Sequence, residues 1–297
     1  MSLPTTHVSF PAGAVTGESP IIAVRALPDG RTAVVTAATP FHPVDHTWPD
    51  QPADLGTLTV DGAVHPVVDC LTGALGPDGT FAAGIDIPVR RGDEEWSWLV
   101  LHVLAAGALG EEAVGRTAAL AVDPERRARL SAAHTGCHLL ALALNAALAP
   151  RWRKDPGRAD AFGNPDFDSL AMDSSVMDIE ASTDTYRIGK SLKKKGFTVD
   201  ATEELPSLAD ALPALAAEVN DRLAGWVAAD AAVRIDVPGP ELTARRRWHA
   251  DLPDGPAELA CGGSHLHHLG ELVELRTELT LSADSSELVA RTTPKRA

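Results

Sequence analysis

The stretch DPERRARLSAAHTGCHLLALALNAALAP, residues 123–150, decides how the rest of the chain is read. Asp123 and Pro124 suit a helix start, because a side-chain oxygen accepts from the free N–H groups of the first turn and the fixed φ of proline fits its first position. Apolar residues then repeat at helical spacing through Leu130, Ala133, Cys137, Leu140, Leu144 and Leu148, and Pro150 ends the run. Inside it, His134-Thr135-Gly136-Cys137-His138 places two imidazoles on one helix face, their Cβ atoms about 5–6 Å apart. That spacing suits two ligands of one metal, and two ordinary histidines equally well. Thr135 stands where the zinc peptidases need a glutamate as general base, so their pattern does not apply.

Outward from this helix the chain divides. Toward the N-terminus, short alternating runs such as Arg31 to Ala38, Gly56 to Val60 and Val64 to Cys70 are punctuated by Gly, Pro and Asp, which predicts a small all-β, barrel-like domain. Its last strand is expected at Glu95 to Val103, with Ala105 to Arg116 as a Gly-rich linker. Toward the C-terminus, Phe167 to Tyr186 reads as extended with a turn at Asp173 to Ser175. Ala209 to Ala229 has helical spacing, Val233 to Val237 reads as a strand, and helix and strand are expected to alternate from there. Leu272 to Leu281 and Leu288 to Arg291 read as strands around a polar turn.

The 297 residues and 44% hydrophobic content allow two packed domains. Three cysteines, Cys70, Cys137 and Cys261, are too few for a disulfide framework, so a thiol is free, buried or a metal ligand. Neither a signal peptide nor an uninterrupted apolar segment of membrane length is evident, which predicts a soluble, cytoplasmic protein. A net charge of −15 opposes broad attraction to nucleic acid, DNA included, and leaves a local basic patch as the route to any RNA. Arg151 to Lys154, Lys190 to Lys195 and Arg245 to Arg247 are the three such patches, each equally readable as a solvated face.

A second motif changes the weight of the first. Cys261-Gly262-Gly263-Ser264-His265 joins a thiol and an imidazole through a glycine turn, and three histidines with one cysteine make a tetrahedral set of donors that zinc prefers. His267 shares a face with His265 in an extended segment and is a reserve ligand.

Together the two motifs resemble the editing domain of alanyl-tRNA synthetase and its freestanding AlaX relatives, which share a fold with the editing domain of threonyl-tRNA synthetase. The likeness extends to Asp123-Pro124-Glu125-Arg126-Arg127, to Leu170 to Glu180, to Val219-Asn220, and through Cys261 to Glu271. A fainter echo runs through Thr39 to Pro43 and Gln51 to Gly56, where Trp48-Pro49-Asp50 replaces the glycine run of the family. Ser264 replaces the usual threonine. The resemblance implies an α+β chain, with the barrel-like domain at residues 1–110 and a two-layer α/β zinc-binding editing domain at 111–297. It implies zinc-dependent deacylation of a mischarged aminoacyl-tRNA, with His134, His138, Cys261 and His265 as metal and catalytic residues, and His265 either a fourth ligand or a base. Trp48, Gln51 and Ser264 are candidate substrate contacts. Acyl groups cleared by such relatives include serine, glycine and, in some freestanding members, fluorothreonine.

Other classes fare less well. Gly189-Lys190-Ser191 has the end of a phosphate loop, but Asp184 stands at its first glycine. No Gly-x-Ser-x-Gly elbow occurs. The remaining rivals are a non-catalytic RNA- or protein-binding module with structural zinc, and a zinc hydrolase of a small ester or amide.

Overall fold

A computed structural model describes residues 3–297. They form two units: the chain through Ala128 with Ile235–Arg247 and Ala260–Ser264, and Arg129–Arg234 with Trp248–Leu259 and His265–Ala297.

In the first unit, β1 (His7–Val8) pairs in parallel with β4 (Ala38–Thr39). The other strands are β2 (Thr16–Ala26), β3 (Thr32–Thr36), β5 (Gly56–Val60), β6 (Ala63–Val67), β7 (Asp69–Leu75), β8 (Phe81–Ala83), β9 (Ser97–Leu104) and β10 (Thr117–Val122). They form one antiparallel sheet of order β6-β5-β10-β2-β3-β9-β7-β8. Val68 alone separates β6 from β7, so a strand at one end of the order runs straight into one near the other, and the sheet coils. Alternation places Leu58, Val60, Leu120 and Val122 in one buried cluster, while β9 is buried on both faces, Trp98 and Val100 on one and Leu99 and Leu101 on the other. β10 (Thr117–Val122) lies past residue 110 and pairs with both β2 and β5 inside this sheet.

The first turn of α1 (Pro124–Leu148) belongs to this unit. Asp123 caps it, its carboxylate accepting from the N–H groups of Glu125 and Arg126 at 3.0 and 3.1 Å. Arg127 is buried against the fully buried Asp54 in an ion pair, and its guanidinium also donates to the carbonyls of Pro40 (2.7 Å) and Ala14 (3.2 Å). Asp54 in turn accepts from the N–H of His42 at 2.6 Å.

The second unit is built around the remainder of α1. By length and composition the stretch Pro124–Arg151 is apolar enough to cross a membrane, but 72% of its most apolar window is buried within the protein, as in a core helix. It packs on a four-stranded antiparallel sheet of order β11-β12-β17-β16, made of β11 (Met172–Met177), β12 (Ser182–Arg187), β16 (Leu272–Leu281) and β17 (Glu287–Arg296). A Cβ on Gly136 would stand 3.1 Å from Leu275 and 3.5 Å from Thr292, so the missing side chain lets the helix approach the sheet closely between His134 and His138. α2 (Phe167–Ala171) and α3 (Lys190–Lys194) are short, and α4 (Leu208–Ala228) lies beside β16. Asn220 of α4 donates to the carbonyl of Thr277 and accepts from its N–H, both at 2.8 Å, so one side-chain amide fills a backbone rung of the end strand. β13 (Val233–Asp236), β14 (Arg247–Leu252) and β15 (Gly255–Ala260) form a three-stranded sheet.

Several expected details differ. The turn expected at Asp173 to Ser175 lies at Asp178–Ala181, where the Asp178 carboxylate accepts from Glu180 and Ala181 at 2.6 and 2.9 Å, and Phe167–Ala171 is helical. After β13 the chain makes a hairpin of two strands rather than alternating with helices.

Candidate metal centre

Helix α1 presents His134 and His138 one turn apart, and the glycine turn that follows β15 presents Cys261 and His265. One ligand atom from each of the four residues lies within 4.8 Å of all the others, so the group can hold a metal ion. Ring centroids of His134 and His265 are 4.2 Å apart, and those of His138 lie 5.0 Å from each. Trp248, fully buried, walls the cluster with its ring 5.2 Å from His138 and 6.1 Å from His265.

The chemistry of these donors suits a cation. Nε2 of His138 is buried without a hydrogen-bond partner, a state that costs about 1–3 kcal/mol unless something fills it. Burial lowers the pKa of this imidazole to about 4, so it is neutral at neutral pH and its lone pair is free to ligate. Burial pushes the Cys261 thiol up to about 12; among the charges around it the Asp50 carboxylate acts most strongly, also raising it, and Arg91 opposes. A bound cation reverses that order, since a coordinating thiol is deprotonated outright. The set is compatible with zinc.

His265 is held by the residue between the two helix histidines. Thr135 Oγ1 lies 3.2 Å from His265 Nδ1 and accepts from the N–H of Leu266 at 3.1 Å. With Nδ1–H donating to Thr135, Nε2 keeps its lone pair, the tautomer in which that nitrogen can ligate. His267 is exposed, its N–H bound to Glu271 at 2.7 Å, and stands outside the group.

The candidate substrate contacts separate. Gln51 and Ser264, both buried, clasp each other: Gln51 Nε2 donates to Ser264 Oγ at 2.9 Å, and the Ser264 N–H donates to Gln51 Oε1 at 3.2 Å. The pair therefore fixes the turn carrying two of the four donors. Trp48 is 47% exposed, with its backbone held by the Asp45 carboxylate at 3.3 Å. Sequence reasoning missed three residues around the group. Thr135 registered only as an absent glutamate, Asp50 only as part of a lost glycine run, and Trp248, next to the basic run Arg245 to Arg247, did not register. Burial raises the Asp50 carboxyl to about 6. None carries a signal in one sequence, since each acquires its neighbours through tertiary contact.

The sequence matches no protein-family model and no curated protein.

Proposed function

We propose that the chain is a zinc-dependent hydrolase that deacylates mischarged aminoacyl-tRNA in the cytoplasm, with a threonine-, serine- or alanine-like acyl group and fluorothreonine among its substrates. The observation that carries this reading is the quartet of donors itself, three imidazoles and a thiol drawn together around an unsatisfied buried nitrogen. The resemblance of both motifs to the tRNA-editing family supplies the reaction. The fold reading that accompanies it takes the coiled first sheet as barrel-like and the second unit as the two-layer editing domain.

In this reading His134, His138, Cys261 and His265 hold zinc, which when bound polarises the acyl carbonyl or lowers the pKa of a water to about 7. Thr135 fixes the His265 tautomer with Nε2 unprotonated, the form that serves a fourth ligand and a base alike. The Gln51–Ser264 clasp fixes the glycine turn. Asp50 is the carboxylate most strongly coupled to Cys261, so its charge would be set by a cation held at the quartet. Trp48 offers an exposed aromatic face on which a base of the tRNA end can stack.

One observation favours a second reading. Four protein donors complete a tetrahedron, which is the arrangement of structural zinc sites. Turnover of seryl-, alanyl-, threonyl- and fluorothreonyl-tRNA by the purified protein, with metal content measured on the same sample, separates the two. Deacylation that is lost in a folded His134→Ala variant supports the hydrolase. A zinc-loaded protein that deacylates none of the four, and unfolds when chelated, makes the zinc structural.

A further inference from the structure

Two of the three basic runs, some forty residues apart in sequence, become one surface in the second unit. Trp152 bridges Phe197 in antiparallel fashion, the N–H of Arg153 donates to the carbonyl of Gly196 at 3.0 Å, and the N–H of Thr198 donates to the carbonyl of Arg151 at 2.8 Å. Gly196 has φ +108, and a Cβ there would stand 2.8 Å from Lys154 Cγ, so only glycine admits the lysine stem. Arg153 and Lys154 are thereby set against Lys190, Lys193, Lys194 and Lys195 of the α3 segment. Among the described residues none of these six cations is engaged in an ion pair. Arg151 is excluded from the surface: it is buried, and its guanidinium is spent on the carbonyls of Thr198, Pro206 and Ser207.

We infer that this merged basic surface holds the phosphate backbone of the tRNA whose acyl end reaches the His134–His138 turn, a step that rests on the function proposed above. In a chain of net charge −15, phosphate can be met favourably only where cations are concentrated and unpaired. α1 ends at Leu148, ten residues beyond His138 and about 15 Å along the helix, and the surface begins past the 3-10 turn Ala149–Arg151 that follows. At ~3.4 Å per stacked nucleotide the helical run is the reach of about four nucleotides, which places the acceptor duplex on the lysines when the terminal ester is at the metal donors. Recognition here is of backbone rather than sequence. Trp152, the aromatic in the patch, packs its ring against Phe197 at 5.2 Å and offers no face for base stacking. A lipid surface is disfavoured because none of the large exposed hydrophobic side chains lies in residues 151–154 or 187–200.

The test measures binding of uncharged tRNA across 50–200 mM salt for the zinc-loaded wild type and for a variant with Lys190, Lys193, Lys194 and Lys195 all changed to Ala. Leu192, the buried anchor of α3, is kept. Each lost phosphate contact removes ~0.7–0.9 from the slope of log affinity against log salt, so four remove about 3, equivalent to roughly 60-fold over that salt range. The four Lys→Arg replacements restore the slope, and turnover of a threonine methyl ester is the same in all three proteins. An unchanged slope in the Lys→Ala variant, no tRNA binding by wild type at 50 mM salt, or a surface that instead takes anionic phospholipid vesicles overturns the inference. A wild type that deacylates no aminoacyl-tRNA, while the slope still falls in the variant, removes the proposed function and leaves the surface as an RNA-backbone site.

Discussion

Replacing Gln51 with Met keeps the volume of the side chain and removes both ends of its clasp on Ser264. The structure sets the scale. The Ser264 N–H and Oγ are buried and bound to Gln51 at 3.2 and 2.9 Å, and the variant removes both of these bonds. At about 0.5–1.5 kcal/mol for each hydrogen bond lost, Gln51→Met costs about 1–3 kcal/mol. The loss falls on the turn that carries Cys261 and His265, so zinc affinity drops ~10–100-fold, the usual effect of losing an outer hydrogen-bond partner at a metal site. Urea unfolding of Gln51→Met, Ser264→Ala and the double variant, each with zinc and with chelator, gives the stability term. Competition against a chromogenic chelator gives the affinity. The hydroxyl contact appears as a coupling of about 1 kcal/mol between the two positions. Additive single-variant costs together with wild-type zinc affinity would refute the claim that this pair holds the metal-binding turn.

Two further outcomes follow from buried charge. Burial raises the Asp168 carboxyl to about 6 against 3.8, with the hydrogen bond from Tyr186 at 2.8 Å opposing, so the fold favours its protonated form. Its influence on stability is absent below about pH 4; stability then falls as pH climbs through 6 and levels off, by about 3 kcal/mol in all. Asp168→Asn, which retains an acceptor for Tyr186, therefore matches wild type near pH 4 and exceeds it at pH 8 in urea midpoints; parallel pH curves would contradict this. Arg127→Met strands the buried Asp54 carboxylate and costs about 3–5 kcal/mol, most of it recovered when Asp54→Asn is added, as calorimetry of the single and double variants will show.

The elements legible in the sequence are those whose pattern is local. Asp123, the repeat from Leu130 to Leu148 and Pro150 mark α1 to within two residues, and Gly56–Val60 matches β5. Both metal motifs are likewise local, each within five residues. What escaped depends on partners far along the chain. β10 is rich in alanine and follows a Gly-rich stretch, and only its pairing with β2 and β5 identifies it as an interior strand. Ile235–Arg247 and Ala260–Ser264 join the first unit through contacts such as the Val8 N–H on the Pro240 carbonyl at 2.7 Å, which no composition shift announces. The β14–β15 hairpin hides because Leu252-Pro253-Asp254-Gly255 marks a turn without saying what it joins. Thr135 is the plainest case at the site: its partner His265 is 130 residues away.

The Asn220 amide on Thr277 has a consequence for how molecules of this protein meet one another. A terminal strand with free N–H and C=O groups is a template on which another chain can add, and here a helix has occupied a rung of that template from within. Sheet-to-sheet growth across β16 is thereby hindered at that rung, while β11, the other end strand, carries a register shift between Met172 and Ser174 that bends it. An Asn220→Leu protein exposes the rung again, and its cost will be read in turbidity at high concentration rather than in the melting curve of a dilute sample.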